Sequence, residues 1–126
     1  MLASLALLFT ITLLSIPAAI LFIPWAVLTG NPNPLYKASI AIIHTAFRLG
    51  GIHIVVSGIE SVPPNTACIL MANHVFNLDP PALLSSLAGR TSIFFKRSLL
   101  RIAVLGYCFK LGGFIPVDRS PASPTR

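Results

Sequence analysis

The first 36 residues contain no Lys, Arg, Asp or Glu; the earliest charged side chain is Lys37. Charged residues make up 10% of the whole chain, where an ordinary soluble domain carries about a quarter. Acids are scarcer still: Glu60, Asp79 and Asp118 stand against nine Lys and Arg, for a net charge of +6. Two cysteines, Cys68 and Cys108, lie forty residues apart. That spacing excludes a disulfide framework and a cysteine-rich metal site, and it fits a reducing compartment with both thiols in the core. The basic residues form no dense run and no nucleic-acid motif is present, so no nucleic acid is expected as partner despite a pI near 10.2. Ser57, Ser61, Ser85 and Ser86 show no nucleophile-elbow pattern, which leaves a covalent serine mechanism without support. No internal repeat occurs. At 126 residues the chain has room for one modest domain.

What is abundant is apolar sequence. Mean hydropathy is +0.85, and residues 2–28 are interrupted among polar types only by Ser4, Thr10, Thr12 and Ser15. Such a run exceeds the roughly 20 residues that span hydrocarbon as a helix. No basic residue precedes it and it is long for a signal-peptide core. Pro17 and Pro24 predict a kinked helix, or a break near Ile16; a segment that only dips into one leaflet is the alternative to a span. With every basic residue on its C-terminal side, the rest of the chain is expected on the cytoplasmic face of a membrane. Trp25 reads as an interface anchor. The basic part is expected to attract anionic headgroups, at roughly 1 kcal/mol per residue near the surface. After a turn at 29–34, a second helix is predicted over about 34–49, ended by Gly50-Gly51.

From Ile52 the pattern shortens. Residues 52–57 are β-branched and predict a strand; 67–72 predict a buried strand, 80–88 a helix, and 91–95 a third strand. Residues 98–111 read as helical with an interruption at Gly106, Gly112-Gly113 as its end, and 114–117 as a fourth strand. Alternating strands and helices make the expected class α/β. Apolar membrane helices (residues 1–50) would precede part of an αβ domain (51–120) and a flexible tail (121–126).

The sharpest constellation is Asn73-His74-Val75-Phe76-Asn77-Leu78-Asp79-Pro80-Pro81. Asp79 suits an N-cap with Pro80 as the first helical residue. His74 falls at a strand end, where α/β proteins often bind ligands. A loop of this length can fold the carboxylate onto the imidazole, fixing its tautomer and supporting its cation. A neutral His can then take the proton of a hydroxyl that attacks an acyl carbonyl. The spacing alone equally fits a helix cap and a histidine bonded to a loop carbonyl. A second stretch, Gly113-Phe114-Ile115-Pro116-Val117-Asp118-Arg119, is a turn, a strand and an acid–base pair. Arg119 there can clamp phosphate, or pair with Asp118 at the surface. Lys96-Arg97 can line an anionic site or form a solvated basic face. His44 and His53 have no acidic sequence neighbour and are expected to be satisfied structural histidines.

Taken together, these motifs resemble the 1-acylglycerol-3-phosphate acyltransferase family. Residues 73–79 look like its His–four residues–Asp motif, 96–110 like the stretch that follows, and 113–119 like its second motif. The resemblance implies a partial αβ acyltransferase domain. His74 would be the general base on a lysophosphatidic acid hydroxyl and Asp79 its orienting partner, while Arg119, Lys96, Asp118 and Gly113 would bind the acceptor. The acyl donor would be a thioester, acyl-CoA or acyl-carrier protein, with no cofactor and no metal; membrane lipids are the expected surroundings. Family members continue into a Phe-Pro-Glu-Gly-Thr-Arg motif and then a Pro-containing one, and neither occurs here. The chain is therefore expected to be the N-terminal part of such an enzyme. A non-catalytic membrane-binding remnant, or an acyltransferase for glycerol 3-phosphate or another lysolipid, are the alternatives.

Overall fold

The computed structural model describes residues 2–63, 66–73, 76–87 and 89–118. Helices dominate. Helix α1 runs Leu2–Thr29, α2 Asn33–Leu49, α3 Asp79–Ser86 and α4 Ala103–Gly112; strands β1 (Phe94–Lys96) and β2 (Ile115–Val117) form a small parallel sheet. The chain divides into two compact units, Met1–Ser15 with Ser39–Thr91, and Ile16–Ala38 with Ser92–Arg126.

Helix α1 is unbroken through Pro17 and Pro24, so of the two expectations, a kink or a break near Ile16, the break is not found. A proline forfeits one backbone bond but need not end a helix whose neighbouring residues all favour the conformation. Twenty-eight residues give a rod of about 42 Å, longer than the hydrocarbon layer. Within Ala3–Thr29 an 18-residue stretch has a mean hydropathy of 2.5 and is mostly uncovered by protein, so α1 is long and apolar enough to cross a membrane.

In the first unit, Leu7, Ala46 and Phe47 form the buried cluster, with Ile11, Ile43, Ile52, Leu78 and Ala82 packed against it. Two glycine pairs stop helices in the same way. Gly51 at φ +69 ends α2, with the Ile52 N–H donating to the Phe47 carbonyl (2.8 Å) and the Gly51 N–H to Arg48 (3.2 Å). In the second unit Gly113, at φ 74, ends α4; its N–H donates to Lys110 (3.1 Å) and the Phe114 N–H to Phe109 (3.0 Å). Both are Schellman arrangements, which need a residue at ease with positive φ and an apolar contact across the turn. Phe109 and Phe114 supply that contact at 5.3 Å between ring centroids, and Phe109 also meets the buried Phe95 edge-on at 4.8 Å.

Three expectations fail here. Residues 52–57 and 67–72 carry no strand, and Val55, Ile69 and Met71 are more than four-fifths exposed. A strand is stable only as part of a ladder, and among the described residues the sole ladder is β1–β2, registered Phe94↔Ile115 to Lys96↔Val117. Cys68, expected in the core, is exposed with the segment that carries it, while Cys108 is half-buried. Gly106 does not interrupt α4: the break lies at Ile102, between a 3₁₀ turn over Arg97–Arg101 and the α-helix.

Candidate active site and family

Asp79 sits one position later than expected: Leu78 is the N-cap and Asp79 the first helical residue. The reason lies in the two prolines. A helix start normally leaves several N–H groups for a cap side chain to satisfy, but Pro80 and Pro81 have none. The remaining donors already bond backbone carbonyls, Asp79 N–H to Phe76 (3.0 Å) and Ala82 N–H to Leu78 (3.0 Å). The first turn thus leaves the carboxylate no unpaired N–H to cap. One of its oxygens, Oδ2, turns back and accepts the Phe76 N–H at 2.8 Å, closing the loop between the histidine motif and α3. The helix N-terminus adds its own support for a negative charge, typically about 0.3–1 kcal/mol. His74 itself lies outside the described residues, as does Arg119.

The second motif belongs to the other unit. Register places Lys96 beside Val117 at the C-terminal ends of the parallel pair, so the next residues on each strand, Arg97 and Asp118, come side by side. The Arg97 guanidinium donates to the Asp118 carboxylate at 3.3 Å, with both side chains about two-thirds exposed. An ion pair this open contributes about 0–1 kcal/mol; its effect is to orient Asp118. Arg97 was expected only beside Lys96, lining an anionic site or forming a solvated basic face, and not as the partner of Asp118. The signal was present in the equal strand lengths before Lys96-Arg97 and Val117-Asp118, but only knowledge of parallel pairing converts it to a contact. Lys96 is exposed and has no ion-pair partner among the described residues. Gly113 has a sufficient backbone reason to be glycine in the α4 cap. The described residues contain no group of three or more His, Cys, Asp or Glu that could hold a metal ion.

His44 and His53, expected to be satisfied, are both exposed. They line an open pocket of about 440 Å³ together with Arg48, Ser85 and Ser86.

A 1-acyl-sn-glycerol-3-phosphate acyltransferase of Borreliella burgdorferi is 35% identical over 79 residues, covering 63% of this chain and 32% of that protein. The chain therefore spans about a third of the length of that curated relative. No solved structure matches. The family model described as Acyltransferase matches residues 53–125, more than half of the chain and inclusive of both motifs, and the chain belongs to that acyltransferase family.

Proposed function

We propose that the chain provides the acceptor-activating part of a 1-acylglycerol-3-phosphate acyltransferase. The observation that carries this reading is the Asp79 carboxylate at the start of α3, whose Oδ2 accepts the Phe76 N–H. The name of the Borreliella burgdorferi relative supports the choice of acceptor. The His74 imidazole takes the proton of the lysophosphatidic acid hydroxyl as its oxygen attacks the thioester carbonyl. Asp79 orients the ring and balances the imidazolium charge. The carbon–sulfur bond breaks, the thiolate of CoA or acyl-carrier protein leaves, and the imidazolium returns a proton to it. Arg119 and Lys96 bind the acceptor phosphate, with Asp118, Arg97 and Gly113 shaping that strand end. Helix α1 holds the catalytic part at a membrane surface.

The test is release of free CoA from acyl-CoA by membranes containing the protein, dependent on added lysophosphatidic acid. His74→Ala is expected to abolish it, a loss of at least about 100-fold for a general base, while the protein stays in the membrane fraction. Retained turnover would refute the role of His74. The uneven charge supports a second reading, a membrane-binding module without catalysis: all nine Lys and Arg follow the apolar helix. It predicts salt-sensitive binding to anionic vesicles and no acceptor-dependent CoA release. A panel of acceptors including glycerol 3-phosphate separates the possible substrates.

A further inference from the structure

His44 and Arg48 lie four residues apart on α2, so they project from one face of the helix. The turn at Gly51 reverses the chain and carries His53 to the same place. Helix α3, docked on the shared apolar cluster through Ala82, adds Ser85 and Ser86 from its last turn. The pocket of about 440 Å³ that results is walled on its other sides by Phe47, Ile52, Ile54 and Val56. All of these residues belong to one compact unit.

The charge of the pocket has one sign. Arg48 and two imidazoles line it, and no carboxylate does. Among the described residues Arg48, His44 and His53 make no hydrogen bond through their side chains and no ion pair. Both serine hydroxyls donate to the Ala82 carbonyl, at 2.9 and 2.7 Å, so the donors open to an incoming group are the guanidinium and the rings. The carbonyl end of α2 works against an anion, with about half an elementary charge. However, its last carbonyls already accept the N–H groups of Gly50, Gly51 and Ile52, and the full charge of Arg48 outweighs the remainder.

Its level along α1 identifies the ligand further. A Cβ built on Gly50 would lie 3.5 Å from Leu7 Cδ1 and 3.6 Å from the Ala3 carbonyl. The end of α2 thus stands beside the first turns of the apolar helix, at the height where phosphate headgroups sit around a spanning segment. We propose that this pocket binds a phosphate-bearing anionic amphiphile, with its phosphate on Arg48, His44 and His53 and its apolar part along Phe47, Ile52 and Val56. The site is separate from the proposed acyl-transfer centre. Asp79 opens α3 and Ser85 lies six residues on, about 9 Å along the axis. Nothing in the inference depends on the chain being catalytic.

The experiment uses the full chain in dodecylmaltoside micelles at constant salt. Ring ¹H–¹³C signals of His44 and His53, assigned through H44Q and H53Q, are followed during titration with inorganic phosphate, dioctanoyl phosphatidylglycerol and dioctanoyl phosphatidylcholine. Saturable shifts at both rings are expected with phosphatidylglycerol. R48Q should weaken them at least ten-fold and R48K should restore most of the affinity; H44Q repeats the test should R48Q alter helix content by circular dichroism. Phosphatidylglycerol binding at least ten-fold tighter than inorganic phosphate identifies a membrane lipid as the ligand. Equal affinities would show that the apolar wall contributes nothing and would overturn the assignment of an amphiphile. Absence of shifts at both rings, phosphatidylcholine binding as tightly as phosphatidylglycerol, or unchanged affinity in R48Q would each overturn the proposal.

Discussion

Asp79 shows how little freedom a single side chain retains once its neighbours are fixed. Two prolines after it remove the donors it would otherwise cap, and the Phe76 N–H takes one of its oxygens at 2.8 Å. Asp79→Asn keeps an acceptor for that N–H and removes the charge. Helix content should be unchanged, while CoA release falls by at least about 100-fold if the carboxylate supports an imidazolium; equal activity would reduce Asp79 to a loop tie. Gly106 is constrained by space instead. A Cβ there would lie 2.5 Å from the Leu100 carbonyl oxygen and 2.7 Å from its Cα. Those are backbone atoms that cannot swing aside, so Gly106→Ala should cost about 1–3 kcal/mol in denaturant unfolding. Cys108 is held by its surroundings in a third way. Burial pushes its thiol above the ordinary value, outweighing a backbone hydrogen bond that lowers it. A raised value in the folded state means no pH effect on stability below the free thiol's pKa, and a loss as pH climbs from there to the folded value. In a Cys68→Ser background, iodoacetamide should therefore modify Cys108 slowly at pH 8, with the rate rising at higher pH or on unfolding. Fast labelling at pH 8 in the folded protein would contradict the burial.

At the scale of elements, the helices were legible because their signals are local. Gly50-Gly51 and Gly112-Gly113 both mark Schellman ends, and the apolar residues that close them, Ile52 on Phe47 and Phe114 on Phe109, are read directly from the sequence. The test is Gly51→Ala, which forces a Cβ into the φ +69 position at a cost of about 1–2 kcal/mol, seen as a lowered unfolding midpoint. The strands divide into two groups. β1 and β2 are found near their expected positions because α4 gives them the crossover that a parallel pair requires. Residues 52–57 and 67–72 have the same β-branched or apolar character, yet no ladder partner among the described residues. Propensity states that a segment fits a pleated surface; it cannot state that such a surface is at hand. The site was legible to the same degree. Its motifs stand in sequence, while the Arg97–Asp118 pair emerges only from strand register, and the pocket at His44, Arg48 and His53 only from the reversal at Gly51.

For the molecule as a whole, the decisive asymmetry is an uncharged helix joined to a basic remainder. Two forces can hold such a chain at a bilayer, and they respond differently to perturbation. Attraction between basic residues and anionic lipid decays within about 8 Å at physiological salt, whereas burial of α1 is indifferent to salt. Washing with 1 M NaCl should then leave the protein in the membrane pellet. Ile16 lies near the middle of α1 and is more than half exposed, so its side chain would face lipid. Ile16→Arg places a charge at the centre of the span, at a cost of about 2.5–3.5 kcal/mol on insertion scales. It leaves the Leu7–Phe47 cluster untouched, since Ile16 is no part of it. If α1 is membrane-embedded, this substitution should shift a large share of the protein from the carbonate-resistant pellet to the supernatant, and the added positive charge cannot compensate through headgroup attraction at high salt. If α1 instead lies only on the surface, the extra Arg should leave pelleting unchanged or strengthen it at low salt through headgroup attraction. The sign of that one change separates insertion from adsorption.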